Sequence, residues 1–112
     1  MHLKNFSLLE KEDQGLVLCA AYDLVPTALV NEADTEELAL TLNAKKRKLK
    51  YNDFLAAFEK SGLSKKVLDK TLELFVYAKP EMLNVLEKSF VSDEFKTKYS
   101  KLLTKRYEQL GL

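Results

Sequence analysis

At Asn52 the spacing of apolar residues changes from every second position to every third or fourth, and this change divides the chain into an extended part and a helical part. Phe54, Leu55 and Phe58 share one helical face, with Asn52 as the expected N-cap and Gly62 as the stop. Ser64 is placed to cap a second helix whose stripe is Val67, Leu68, Thr71, Leu72, Phe75 and Val76, ended or kinked at Lys79. Pro80 suits the first position of a third helix, because its missing N–H has no helical partner there, and Met82, Leu83, Val85, Leu86 and Phe90 form its apolar face. Ser92 caps a fourth, striped by Phe95, Tyr99, Leu102, Leu103, Tyr107 and Leu110 and closed by Gly111. Short connectors make these four helices, over residues 53–110, antiparallel neighbours. Phe75, Leu72, Leu86, Phe95, Tyr99 and Leu102 are the expected core.

Before Asn52 two short apolar runs, Phe6 to Leu9 and Leu16 to Ala20, flank a polar stretch that ends in Gly15, the pattern of a β-hairpin. Pro26 holds Val25 extended and forbids a helix through that point. A further short strand is expected at Leu38 to Leu42, turned by Asn43-Ala44 into a basic segment that ends at Lys50. The fold class is mainly α (α+β): a hairpin over 1–22, an extended strap with a short strand pair over 23–51 and a four-helix bundle over 52–112, in one domain.

Composition narrows the functions such a chain can have. Its 112 residues, 46% hydrophobic, suffice for one modest core, and a net charge of +1 provides no global field for a polyanion or an anionic membrane. The lone Cys19 has no partner for an internal disulfide and sits in an apolar run, as in a reducing compartment. Leu16 to Tyr22, the longest apolar stretch, is too short to span a bilayer, and the N-terminus lacks a signal-peptide core, so a cytoplasmic protein without membrane contact is expected. His2 is the only histidine, no Ser/His or Cys/His pairing exists, and three isolated glycines make no phosphate loop. A self-sufficient enzyme is not expected.

The most informative stretch is His2-Leu3-Lys4-Asn5-Phe6-Ser7-Leu8-Leu9, followed at hairpin distance by Ala20-Ala21-Tyr22-Asp23-Leu24-Val25-Pro26-Thr27. These segments resemble the end of the catalytic loop and the metal-binding Asp segment of the HipA family of bacterial serine/threonine kinases, where Asp-x-His-x-Lys-Asn is followed by Tyr-Asp. Glu37 to Asn43, Lys45 to Leu49 and Asp53 to Ala56 resemble the family's next segments, in order. The resemblance implies that Asn5 and Asp23 are metal ligands and that His2, Lys4 and Tyr22 also fall where the family contacts nucleotide. Hard oxygens from an amide and a carboxylate suit Mg²⁺, and a hairpin brings residues 18 apart in sequence to one ion. Mg²⁺ and ATP would be the cofactors of the intact family protein, with none bound by this chain alone. The family pattern puts the catalytic Asp immediately before Met1, and its nucleotide-covering loop, phosphate-binding Lys and adenine pocket further upstream. The implied identity is the C-terminal piece of an ATP-dependent protein kinase, the toxin of a bacterial toxin–antitoxin pair, inactive by itself. Its implied partners are the rest of the kinase and an antitoxin, with self-association through an orphaned hairpin.

Two other readings compete. One is a non-catalytic helical protein-interaction module. The other is a small nucleic-acid accessory using Lys45 to Lys50, since clustered cations release counterions from phosphates. Four acids in the same strap, Glu32, Asp34, Glu36 and Glu37, offset that cluster, so a solvated turn without direct nucleic-acid contact is expected. Lys96, Lys98, Lys101, Lys105 and Arg106 read as the polar side of the last helix, and Tyr99 and Tyr107 as core residues. The plain roles for Asp23 and His2 are a turn residue before Pro26 and a terminal residue.

Overall fold

The computed structural model describes residues 5–22, 24–31 and 33–112. It is mainly helical: a two-stranded antiparallel hairpin, β1 (Leu8–Lys11) and β2 (Gly15–Leu18), is followed by α1 (Thr27–Val30), α2 (Tyr51–Lys60), α3 (Lys65–Lys88) and α4 (Asp93–Leu110). The fold is therefore the expected hairpin followed by four helices, although the helices divide the chain differently from the periodicity.

Leu8 pairs with Leu18, Leu9 with Val17, Glu10 with Leu16 and Lys11 with Gly15. The turn closes with the Gln14 N–H donating to the Lys11 carbonyl at 3.2 Å, and Gly15 follows at φ 67°. A left-handed residue after such a turn matches the twist of the strands, and glycine takes that conformation without a Cβ penalty. Almost every side chain of the hairpin is exposed, and Cys19, just past it, is half-buried.

The strap departs from the expected extended course in two places. No helix passes through Pro26, as expected, but directly after it the chain makes the single helical turn of α1 in place of an extended course. The strand expected at Leu38 to Leu42 does not form: the pairing is one bridge, Leu42 to Lys45, around Asn43 and Ala44 at φ 48° and 59°. The turn was readable, but residues 37 to 39 are drawn half-buried against other elements rather than into a ladder.

In α2 the N-cap is Lys50, not Asn52. Lysine has no acceptor with which to cap, and the Asp53 carboxylate does the capping instead, taking the Lys50 N–H at 3.0 Å from the third helical position. The stop at Gly62 (φ 75°) stands as expected: the Leu63 and Gly62 N–H groups return to the Phe58 and Glu59 carbonyls at 2.9 and 3.0 Å. Ser92 caps α4 as expected, its Oγ accepting the Phe95 N–H at 3.3 Å, with Asp93 and Glu94 in the first turn where the helix dipole favours acids.

The second and third expected helices are one. α3 runs without interruption through Pro80, which costs an interior helix about 3 kcal/mol. Contacts from elsewhere must offset that cost. Among the described residues the buried apolar ones are Leu49, Leu68, Leu72 and Tyr107, so the core lies where the end of the strap, α2, the first half of α3 and the end of α4 meet. Phe75, expected in the core, is 45% exposed, while Leu86, Phe95, Tyr99 and Leu102 are half-buried. Beyond Leu72 the face of α3 that carries Phe75 and Val76 is only partly covered.

Candidate functional site

Of the five residues singled out as a nucleotide and metal site, the described residues contain two. Asn5 is 5% exposed, beside an exposed Phe6, so at the foot of the hairpin the polar side chain is inside and the aromatic ring outside. Tyr22 is exposed. His2, Lys4 and Asp23 lie outside the described residues. Among the described residues no group of three or more His, Cys, Asp or Glu is arranged to hold a metal ion. The chemistry of the donor set nevertheless fits a hard cation: the amide oxygen that Asn5 carries suits Mg²⁺, and a carboxylate from Asp23 would suit it equally.

The best-formed polar sites are two carboxylate clusters that sequence reasoning did not single out. In the first, Asp53 is 3% exposed and accepts from Lys45 Nζ at 2.8 Å, Asn43 Nδ2 at 3.0 Å and the Lys50 N–H at 3.0 Å. The Lys45 ammonium, then the Asn43 amide and the Lys50 N–H, hold its carboxyl down at about 2. In the second, Glu37 accepts from Arg106 Nη1 at 2.6 Å, Gln109 Nε2 at 2.9 Å and the Leu49 N–H at 3.0 Å. Burial alone would raise the Glu37 pKa, but the Leu49 N–H, Gln109 and Arg106 outweigh it and the net shift is downward.

An acid saturated with donors and held ionised is a poor general base at neutral pH. These clusters are fasteners. Asp53 ties the Asn43–Lys45 turn to the start of α2, and Glu37 ties the strap to the end of α4. An acid at the third position of an apolar helix was a legible signal for Asp53. No local signal existed for Glu37, whose partners Arg106 and Gln109 are 69 and 72 residues away.

The same contacts bear on the basic segment. Lys46 pairs with Glu36 at 3.0 Å, Lys45 with Asp53 at 2.8 Å, and Arg47 donates to Thr35 Oγ1 at 3.2 Å, so three of its cations are engaged within the strap and the start of α2. On α4, Arg106 leaves the expected polar stripe to join Glu37, and Lys96 donates to the Glu87 carbonyl at 2.6 Å. An open groove of about 450 Å³ lies between the second half of α3 and the start of α4, walled by Met82, Val85, Leu86, Val91, Phe95 and Tyr99. Among the described residues no helix is long and apolar enough to cross a membrane.

Comparison with protein families matches residues 1–88 to the HipA-like C-terminal domain. The match takes in the Asn5 and Tyr22-Asp23 segments, the strap, α2 and α3 through its last residue; α4 lies beyond it. No curated protein matches the chain.

Proposed function

The chain belongs to the HipA-like C-terminal domain family, and from that premise we propose that it forms the helical C-terminal lobe of an ATP-dependent serine/threonine protein kinase. The observation that carries the reading is the family match over residues 1–88, a span that holds Lys4-Asn5 and Tyr22-Asp23 in the order of the kinase pattern. Asn5 and Asp23 would hold Mg²⁺, which when bound neutralises the phosphates of the nucleotide. His2, Lys4 and Tyr22 would contact that nucleotide, Lys4 as a point charge on phosphate.

The lobe's part is support. Phosphoryl transfer requires positioning of the nucleotide, metal to offset its charge and a group that orients the nucleophile. Within these 112 residues are the proposed metal ligands but no glycine-rich phosphate loop, so the lobe by itself transfers no phosphate. The burial of Asn5 and the saturation of Asp53 and Glu37 by donors agree with a scaffold whose acids fasten elements together. In the intact protein the activity would be that of a bacterial cytoplasmic toxin held by an antitoxin.

The deciding experiment measures γ-phosphate transfer from Mg·ATP to protein by the 112-residue chain and by the same chain preceded by the N-terminal lobe of a HipA-like kinase. Transfer is expected only from the joined protein, and it should be lost in Asn5→Ala and in Asp23→Ala. Transfer by the chain alone, abolished by Asp23→Ala, would overturn the division of labour. Transfer by the joined protein that survives both substitutions would remove the metal-ligand roles.

A further inference from the structure

The segment that follows Tyr22 and Asp23 has little of its own to hold it. α1 is one turn long, contains no buried residue and has no side-chain cap; the Leu29 N–H donates to the Pro26 carbonyl at 2.9 Å and the Asn31 N–H to the Thr27 carbonyl at 2.8 Å. An isolated helical turn is unstable in water, so its placement depends on what it packs against. It packs against α4. Between them is a hollow of about 270 Å³, walled by Val25, Pro26 and Thr27 on one side and by Tyr99, Leu102 and Arg106 of α4 on the other.

Arg106 serves two elements at once. It faces that hollow, and its guanidinium also donates to Glu37 at 2.6 Å and to the Gln109 carbonyl oxygen Oε1 at 2.8 Å. The Gln109 amide in turn donates to Glu37 at 2.9 Å and to the Leu49 carbonyl at 2.5 Å, while the Leu49 N–H donates to the same Glu37 carboxylate at 3.0 Å. The four residues form a closed network, and Leu49 is in the core. Closed, partly buried networks have few alternative arrangements, so this one sets where α4 stands relative to the strap.

We infer that Arg106 and Gln109 are positioning residues: by gripping Glu37 and Leu49 they fix α4 against residues 24–30, and so fix the course of the chain that leads out of Tyr22 and Asp23. Its bearing on phosphoryl transfer rests on the kinase reading proposed above. The positional coupling itself does not. The two residues lie in α4, beyond the part of the chain that matches the family, so α4 becomes part of the working lobe rather than an appendage.

Hydrogen exchange of the 112-residue chain without nucleotide checks the coupling, in Arg106→Met, in Arg106→Lys and in Glu37→Gln, which preserves the size of the side chain. The Leu29 and Asn31 amides should exchange at least tenfold faster in Arg106→Met, by an intermediate factor in Arg106→Lys, which retains the charge, and several-fold faster in Glu37→Gln. The Leu68 and Leu72 amides of α3 should accelerate by a clearly smaller factor than those of α1 in Glu37→Gln. Acceleration confined to Leu49, with Leu29 and Asn31 unchanged, would overturn the inference. So would equal acceleration of α1 and α3 in Glu37→Gln, which would make the network a source of general stability rather than of placement. Loss of transfer activity in the joined protein bears on the kinase reading alone, so the two failures are distinguishable.

Discussion

The hydroxyl of Tyr107 in α4 donates to the backbone carbonyl of Phe75 in α3 at 2.5 Å. The carbonyl lies five residues before Pro80, in the stretch where proline weakens the helix, and the Lys79 ammonium stands 4.5 Å from the Tyr107 ring centroid. Tyr107 is 6% exposed, and burial pushes its phenol above the ordinary range, so the donor keeps its proton at any physiological pH. This bond and its ring contact are the means by which the last turns of α4 brace α3 near its proline.

Removing the hydroxyl alone should therefore be costly. Tyr107→Phe leaves the ring in place but removes the part-buried bond to the Phe75 carbonyl, a loss on the order of 1 kcal/mol. The urea midpoint of the variant should fall accordingly, without change in the slope of the transition.

Two truncations in α3 separate the core from the open face. Leu68 is 2% exposed, and Leu68→Ala should cost about 2 to 5 kcal/mol through lost burial and a cavity. Phe75 is 45% exposed, so Phe75→Ala should cost about 1 kcal/mol, far less than its place on the apolar stripe implies. Urea denaturation of the two variants side by side measures the difference.

That contrast shows where the sequence was legible. Local chemistry was readable wherever the cause lay within a few residues: the hairpin around Gly15, the turn at Asn43-Ala44, the stop at Gly62 and the cap at Ser92 all stand where residue type puts them. Pro80 was misread because continuing a helix through proline depends on distant support, such as the hydroxyl that Tyr107 supplies 32 residues away from Phe75. Phe75 was misplaced because a stripe shows which side of a helix is apolar but not how far a neighbour covers it. The Asn5 motif is a run of neighbouring residues that can be read locally, whereas the Glu37 network joins residues that no local pattern connects.

Stability should fall steeply in acid, and Asp53 should account for part of the fall. Its carboxyl is lowered from 3.8 to about 2, chiefly by the Lys45 ammonium, so the unfolded chain takes up the proton first. The contribution is present in full above roughly pH 5, begins to fade as the unfolded-state value is approached and is gone once pH drops through about 2, with Glu37 acting in the same direction. Asp53→Asn should be less stable than wild type at pH 7 and should show a flatter acid limb, the two converging near the native value. Urea midpoints at pH 7, 4 and 2.5 establish the trend.

The hairpin should be the least protected described part of the chain. Leu8, Leu9, Leu16 and Leu18 are exposed, and two strands alone are marginal in water because they cannot bury a face between them. The Ser7 carbonyl, accepting from the Cys19 N–H at 2.9 Å, extends the ladder past Leu8 and Leu18. Amides of residues 8–18 should exchange orders of magnitude faster than the Leu68 and Leu72 amides. Joining the chain to a kinase N-terminal lobe should slow them, because on the proposed reading that lobe covers the hairpin. Unchanged rates in the joined protein, with phosphate transfer present, would mean that the hairpin stays open in the working kinase.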